Sequence, residues 1–435
     1  MRVALLGNMN NNNFSIMRYF RDLGIDAHLV LFENDGYKSN SHFIPENDTW
    51  EYDKWEAYIH KTNIFNGYGS VIGHKFPYNF LFVIAYAGLK LINKDIPNLK
   101  PVSEESIKAA LNGYDCYIGS GLSATLLRRI NKKLDIFYPY ATGIEYLGTE
   151  LVRKKIMDGS YVRRKIIRET SEVQKQAIRD AQNCITAELS LTKTTFDEID
   201  VPIVPMAIPM VYNKETHPPK DQIADHLLDI IKDIESNDFT IINHSRQMWV
   251  NPGDFTNEEW RKQSKHNEWL IKGFAKYLKK RPNVRSKLFI LEYGTDVKDS
   301  KLLCKELGIQ ESVRWLPKMT RKELLLLISK CSIGVDQFSI ENNSLWGGSG
   351  WEVLASGKPL LQSFMFEEGE FENKFDQPAP PMLKVKSESC IVDHLLDISD
   401  NPEKGRKLGE AAKNWFNKYN GISLAQKWIE LLEGK

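Results

Sequence analysis

Apolar and polar positions run along this chain in two alternating rhythms. Short apolar runs bounded by Gly, Asn or Pro predict buried strands, and apolar residues spaced three and four apart predict amphipathic helices. Arg2 to Leu6 reads as a first strand, Gly7 to Asn13 as its polar loop, Phe14 to Leu23 as a helix closed by Gly24, and Ala27 to Phe32 as a second strand. Tyr114 to Ile118 and Ile136 to Tyr140 continue the series, with the turn Gly119 to Ala124 leading into a helix between them. The second half repeats the rhythm, with strands at Phe239 to Asn243, Lys287 to Glu292, around Val313, at Ile333 to Phe338 and from Pro359 to Phe364. Strands that alternate with helices require mostly parallel sheets covered on both faces, so the fold class is α/β.

The clearest single unit runs from Cys331 to Phe364. A strand leads through a polar loop to a helix beginning near Ser349, where Ser349 and Glu352 have the spacing of a capping box. Gly357 suits a left-handed helix end, and Pro359 prevents continuation. Gly347 and Gly348 therefore stand before a helix N-terminus, where unpaired N–H groups and the helix dipole favour a phosphate.

Length adds domain number: 435 residues exceed one ordinary core, so two domains are expected. The formal net charge of +1 and 26% charged residues give no sign of a nucleic-acid partner. Cys116, Cys184, Cys304, Cys331 and Cys390 are scattered without a C-x-x-C pair, which fits reduced cytosolic thiols rather than a disulfide framework or zinc. The first apolar run is too short for a signal peptide, so a cytoplasmic protein is expected. Phe80 to Ile92, interrupted by Lys90, is shorter than the roughly 20 residues of a spanning helix, which leaves a core helix or an interfacial patch. Arg163, Arg164, Lys165 and Arg168 bunch on a helical stretch and could meet anionic lipid, or form a solvated face balanced by Glu169 and Glu172. Residues 35–75 are irregular and aromatic-rich, as in a binding lid or a self-packed insertion. The sequence has no D-x-D, H-E-x-x-H, phosphate-loop or G-x-S-x-G motif.

The Cys331–Phe364 unit resembles retaining GT-B glycosyltransferases, chiefly glycosyltransferase family 4. Their stretch reads Glu-Gly-Phe-Gly, a spacer, a second Glu, a small-residue helix and Gly-x-Pro. Here Trp346, Gly347, Glu352 and Gly357-Lys358-Pro359 match, while Ser344 stands where the first Glu belongs and Glu341 lies three residues earlier. The segment from Lys265 to Ala275 resembles the family's Lys-Gly-x-x-x-Leu-Ile-x-Ala-Phe, with His266 in place of Gly. Arg246 falls at the Arg of the family's Gly-Arg. Met206-Ala207-Ile208 replaces its usual Asn-Gly, and Pro317 replaces a Gly.

The resemblance implies a GT-B architecture of two Rossmann-like domains facing a cleft. Residues 1–212 would form the acceptor-side domain, 213–238 a linker and lead-in helix, and 239–419 the donor-binding domain, with helix 420–435 crossing back. Arg246 and Lys265 would neutralise a departing diphosphate, and no metal or other cofactor is implied. Glu352 would take ribose hydroxyls, and Tyr293, Gly294 and Met319 would border the base. Ser344, Trp346, Gly347, Gly348 and Ser349 would line the donor. Asn12, Asn13, Thr142 and Glu145 would face the acceptor; a polar surface loop fits the asparagines equally, and a surface turn is the better account of Thr142 or Glu145 alone. The implied partners are a nucleotide sugar and a carbohydrate or lipid-linked glycan acceptor, as in bacterial-type surface polysaccharide synthesis, with peripheral membrane contact through the Arg163–Arg168 cluster. Ser344 also fits a second reading, a non-catalytic sugar-nucleotide or glycan-binding subunit.

Overall fold

The computed structural model describes residues 1–33, 43–72, 80–92, 96–139, 158–186, 196–215, 218–250, 264–338 and 348–434. The chain divides into two compact units, one of residues 1–46, 51–210 and 424–435, the other of residues 47–50 and 211–423.

The first unit is built on a seven-stranded sheet of β1 (Arg2–Leu6), β2 (Asp26–Leu31), β3 (Ile59–Lys61), β4 (Cys116–Gly119), β5 (Ile136–Phe137), β6 (Asn183–Thr186) and β7 (Ile203–Pro205). The order is β3-β2-β1-β4-β5-β6-β7 and every pair is parallel. β1 lies in register with β2 at Val3 and Ala27 and with β4 at Val3 and Cys116. Ala4, Leu6, Val30, Phe32, Leu127 and Phe137 belong to one buried cluster. Burial on both faces explains why these strands read as continuous apolar runs. The chain returns to this unit at its end: Trp428 of the helix Gly421–Leu432 is fully buried 5.5 Å from the Tyr138 ring and donates its indole N–H to the Ala207 carbonyl at 3.1 Å.

The aromatic-rich insertion is partly framework. It supplies edge strand β3 and the short helices Tyr52–Glu56 and Tyr68–Ile72, and its Trp55 is buried. These elements are too short to show a period in the sequence. Arg163, Arg164, Lys165 and Arg168 lie on the helix Tyr161–Arg179, whose N-cap Ser160 accepts from the Arg163 N–H at 3.3 Å.

The second unit has a six-stranded parallel sheet of β8 (Phe239–Asn243), β9 (Ser286–Leu291), β10 (Val313–Leu316), β11 (Ile333–Val335), β12 (Leu360–Ser363) and β13 (Leu383–Val385). Its order is β10-β9-β8-β11-β12-β13. Ile241 of β8 pairs with Leu288 of β9 on one side and Ile333 of β11 on the other. The winding direction therefore reverses between β8 and β11, the kind of point where open α/β sheets bind ligands outside their carboxyl ends.

The helix Gly348–Ala355 sits directly on β11. A Cβ at Gly334 would lie 2.4 Å from the Val353 side chain, so glycine permits this close seating. Gly357 (φ +68°) closes the helix with its N–H on the Leu354 carbonyl at 3.1 Å. The capping box falls elsewhere than the sequence suggests. It forms at Thr320 and Glu323, at the start of the helix Arg321–Lys330, with the Thr320 N–H 2.9 Å from the Glu323 carboxylate. Ser349 already lies inside its helix, and both Glu352 carboxylate oxygens bond to side chains of other elements.

Candidate functional site

Three segments gather where the second sheet reverses: His244 to Gln247 after β8, Lys265 to Asn267 before the helix Asn267–Lys280, and Asp336 to Phe338 after β11. Short polar bonds tie them together. Asn243 Nδ2 and the Ser245 hydroxyl donate to the Asp336 carbonyl at 3.3 and 3.1 Å, and the Met248 N–H donates to Asn267 Oδ1 at 2.9 Å. The Lys265 N–H donates to the Met248 carbonyl at 2.8 Å, and the Phe338 N–H donates to the Lys265 carbonyl at 3.1 Å.

The loop after β9 supports the same backbone. The Gln247 N–H donates to the Tyr293 carbonyl at 2.7 Å, and Asp296 Oδ2 accepts from the Trp249 and Val250 N–H groups at 2.6 and 2.7 Å. Gly294 has φ +119°, and a Cβ there would lie 2.3 Å from the Gln247 carbonyl oxygen. Only glycine fits, so Gly294 fixes the loop that carries Arg246. Tyr293 and Met319 stand half-buried at the carboxyl ends of β9 and β10, and the Lys318 ammonium lies 5.4 Å from the Tyr293 ring centre.

Arg246 is exposed and makes no ion pair among the described residues, whereas Lys265 reaches inward and donates to Gln337 Oε1. Burial pulls the Lys265 ammonium below the ordinary lysine range. Asp336 opposes that shift, and the positive charge of Arg246 adds to it. The two cations thus stand on joined segments at the switch point, where the charge of Arg246 disfavours the Lys265 ammonium.

Glu352 belongs to a buried relay. Its Oε2 is 2.7 Å from His244 Nε2 and its Oε1 2.8 Å from Arg321 Nε, while Arg321 Nη1 reaches Asp48 Oδ1 at 3.2 Å. Burial alone would raise the Glu352 carboxyl, but the His244 bond and the Arg321 charge outweigh it and hold the group below the usual range. Burial works against the Arg321 charge too, and Asp48 with Glu352 raises its pKa nonetheless. An ionised Glu352 accepts a hydrogen bond from His244 Nε2, and Nδ1 of the same ring is buried and unpartnered among the described residues. The structure thus adds His244, Arg321, Asp48, Asp336 and Gln337 to the residues the sequence singled out.

At the reversal of the first sheet, between β1 and β4, the asparagines shape their own loop. Asn10 and Asn11 have left-handed φ of 53° and 57°. Asn13 donates to the Leu6 and Gly7 carbonyls at 3.0 and 2.8 Å and accepts from the Tyr138 hydroxyl at 2.7 Å. Its amide braces the loop instead of facing outward, and Asn12 is fully buried with no partner for its amide among the described residues. Gly348 and Ser349 form the first turn of their helix, half-buried. Ser344, Trp346, Gly347, Glu341, Thr142 and Glu145 lie outside the described residues. Among the described residues, no group of His, Cys, Asp and Glu is placed to hold a metal ion.

Compared with protein-family models and with curated proteins, the chain matches none. Solved structures do match along their whole length. Anabaena Alr3699/HepE, solved with UDP and glucose, is 11% identical over 100% of both chains with a TM-score of 0.54. S. aureus TarM, solved as a mutant with Fondaparinux, alpha-GlcNAc-glycerol and UDP, is 12% identical over 99% of this chain and 100% of its own, at 0.52. The fold is GT-B. Another structural match, UDP-GlcNAc 2-epimerase from Neisseria meningitidis bound to UDP-GlcNAc, is 12% identical over 100% of both chains at 0.52, so GT-B similarity at this identity fixes architecture and leaves the reaction to the site.

Proposed function

We propose that this chain is a retaining, metal-independent glycosyltransferase that moves a sugar from a nucleoside diphosphate to a carbohydrate or glycolipid acceptor. The observation that supports the reading is the pair of cations, Arg246 and Lys265, on joined segments at the reversal point of the second sheet. Breaking a glycosidic bond to a diphosphate builds negative charge on the leaving oxygens. A guanidinium and a partly dehydrated ammonium fixed there beforehand stabilise that charge as it develops. A bound diphosphate offsets the repulsion that Arg246 exerts on the Lys265 ammonium.

The HepE and TarM structures carry UDP, which makes a uridine diphosphate sugar the first donor to test. Tyr293 and Met319 border the base, and the helix beginning at Gly348 and Ser349 turns its free N–H groups to donor oxygens. Glu352 holds Arg321 and His244 in place and keeps one carboxylate lone pair for a ribose hydroxyl. The test follows product stereochemistry by NMR with a donor of known anomer and a panel of glycan acceptors, with and without chelator. The expected product keeps the donor's configuration and forms equally with chelator present. An inverted product, or turnover that needs a divalent ion, contradicts the reading.

A further inference from the structure

The chain crosses between its two units twice within a few residues. Residues 1–46 belong to the first unit, residues 47–50 to the second, and residue 51 is back in the first. Each half of this strap is gripped by polar side chains of its own unit. In the first unit, Asn8 Nδ2 donates to the Phe43 carbonyl at 2.8 Å and Asn11 Nδ2 to the Ile44 carbonyl at 3.3 Å. Both asparagines are buried, and Asn8 Oδ1 accepts from the Phe14 N–H at 3.1 Å. One side chain therefore holds both the strap and the start of the helix Asn12–Asp22. Glu46 ends this half in an ion pair with Lys61 of β3 at 3.3 Å.

In the second unit, Asp48 is 3% exposed and lies 3.2 Å from Arg321 Nη1, which makes it the far end of the relay through Glu352 to His244. The Thr49 hydroxyl and the Trp50 N–H donate to Glu215 Oε1, the latter at 3.1 Å, and the Lys322 ammonium lies 4.8 Å from the Trp50 ring centre. Between the grips on Ile44 and Asp48 stands only the 3-10 turn Pro45–Asn47, with Pro45 buried. A proline-led 3-10 turn has little slack, so a shift of Asp48 is passed to Ile44 and Phe43. Asp48 is also held firmly, because parting a buried carboxylate from its cation leaves both charges dehydrated. We propose that Asp48 is a positioning residue that acts through Arg321 on Glu352 and His244, and that its strap couples the asparagine loop at the reversal of the first sheet to this relay in the second unit. Order gained at one place is passed to the other, so a ligand that settles the relay also tightens the loop from Asn8 to Asn13. That use of the link rests on the proposed function, whereas the link itself does not.

The test is hydrogen–deuterium exchange of the full chain without ligand, read by mass spectrometry. Asp48→Asn speeds exchange across residues 8–17 of the first unit at least about fivefold, and Arg321→Gln, a change in the second unit, does the same. The two together add nothing beyond either alone, since they break one link. Arg281→Gln, which breaks the surface pair with Asp400 in the second unit, leaves residues 8–17 at the wild-type rate. In the reverse direction, Asn8→Asp removes the donor to the Phe43 carbonyl, keeps the acceptor for the Phe14 N–H, and speeds exchange across residues 321–325. This arm tests the link without altering the buried ion pairs, so it stands where a relay variant fails to fold. Unchanged exchange at residues 8–17 in Asp48→Asn and Arg321→Gln overturns the inference. So do effects of those two variants that simply add, or an Asn8→Asp chain that exchanges like the wild type at residues 321–325. Because no nucleotide is added, failure of the link and failure of the donor reading are separate outcomes.

Discussion

Lys265 and Glu352 are buried ionisable groups that respond oppositely to their surroundings. Lys265 meets a cation and lost hydration, so its folded pKa lies below its unfolded one. The unfolded chain then binds the extra proton between those two values, and stability rises with pH across that window. Diphosphate binding runs the other way, since the anion needs the charged ammonium. Donor affinity should fall as pH rises through the depressed Lys265 pKa, with proton uptake on binding visible by calorimetry in buffers of different ionisation enthalpy. Lys265→Met should abolish both the slope and the uptake. Glu352 gains two partners, so its carboxyl contributes stability above the unfolded value and loses it as pH falls through the depressed folded one. Glu352→Gln leaves Arg321 underpaired in a buried place and should cost about 3 kcal/mol in denaturant unfolding. A loss below about 0.5 kcal/mol would show that the relay is not a buried ion network. The sequence singled out Arg246 and Lys265 through the family resemblance, and the fold brings the segments that carry them together after β8 and before the helix Asn267–Lys280. The relay was not legible: Asp48 is remote in sequence from Arg321 and Glu352, and only folding joins them.

Among the elements, the central strands of both sheets read directly from their apolar runs, since burial on both faces leaves no other pattern, whereas the three-residue edge strands β3 and β13 did not. Helix starts read less well, because several Ser/Thr-x-x-Glu spacings compete and only packing chooses among them. Glu352 has the spacing of a capping-box residue, but burial beside Arg321 and His244 takes its carboxylate away, and the box forms at Thr320 and Glu323 instead. His266 stands where the resembling family has glycine, and its φ of 45° shows the left-handed turn that favours that residue. Gly294 is the sharper case, because its absent side chain makes room for the Gln247 backbone. Gly294→Ala should lower stability by about 2 kcal/mol and weaken nucleotide binding together, by displacing the loop that carries Arg246. Melting and titration of that one variant check both, and an unchanged affinity would separate the glycine from the site.

For the whole molecule, two parallel sheets that each reverse their winding once give two places for chemistry, and the cations gather at the second. The most direct measurement is calorimetric titration of the wild type, Arg246→Ala and Lys265→Met with uridine diphosphate and other nucleoside diphosphates. The account predicts that one diphosphate binds the wild type and that Arg246→Ala weakens it by at least about tenfold without lowering the melting temperature, since Arg246 is exposed. Equal affinity of the wild type and both variants for every diphosphate that binds would contradict it.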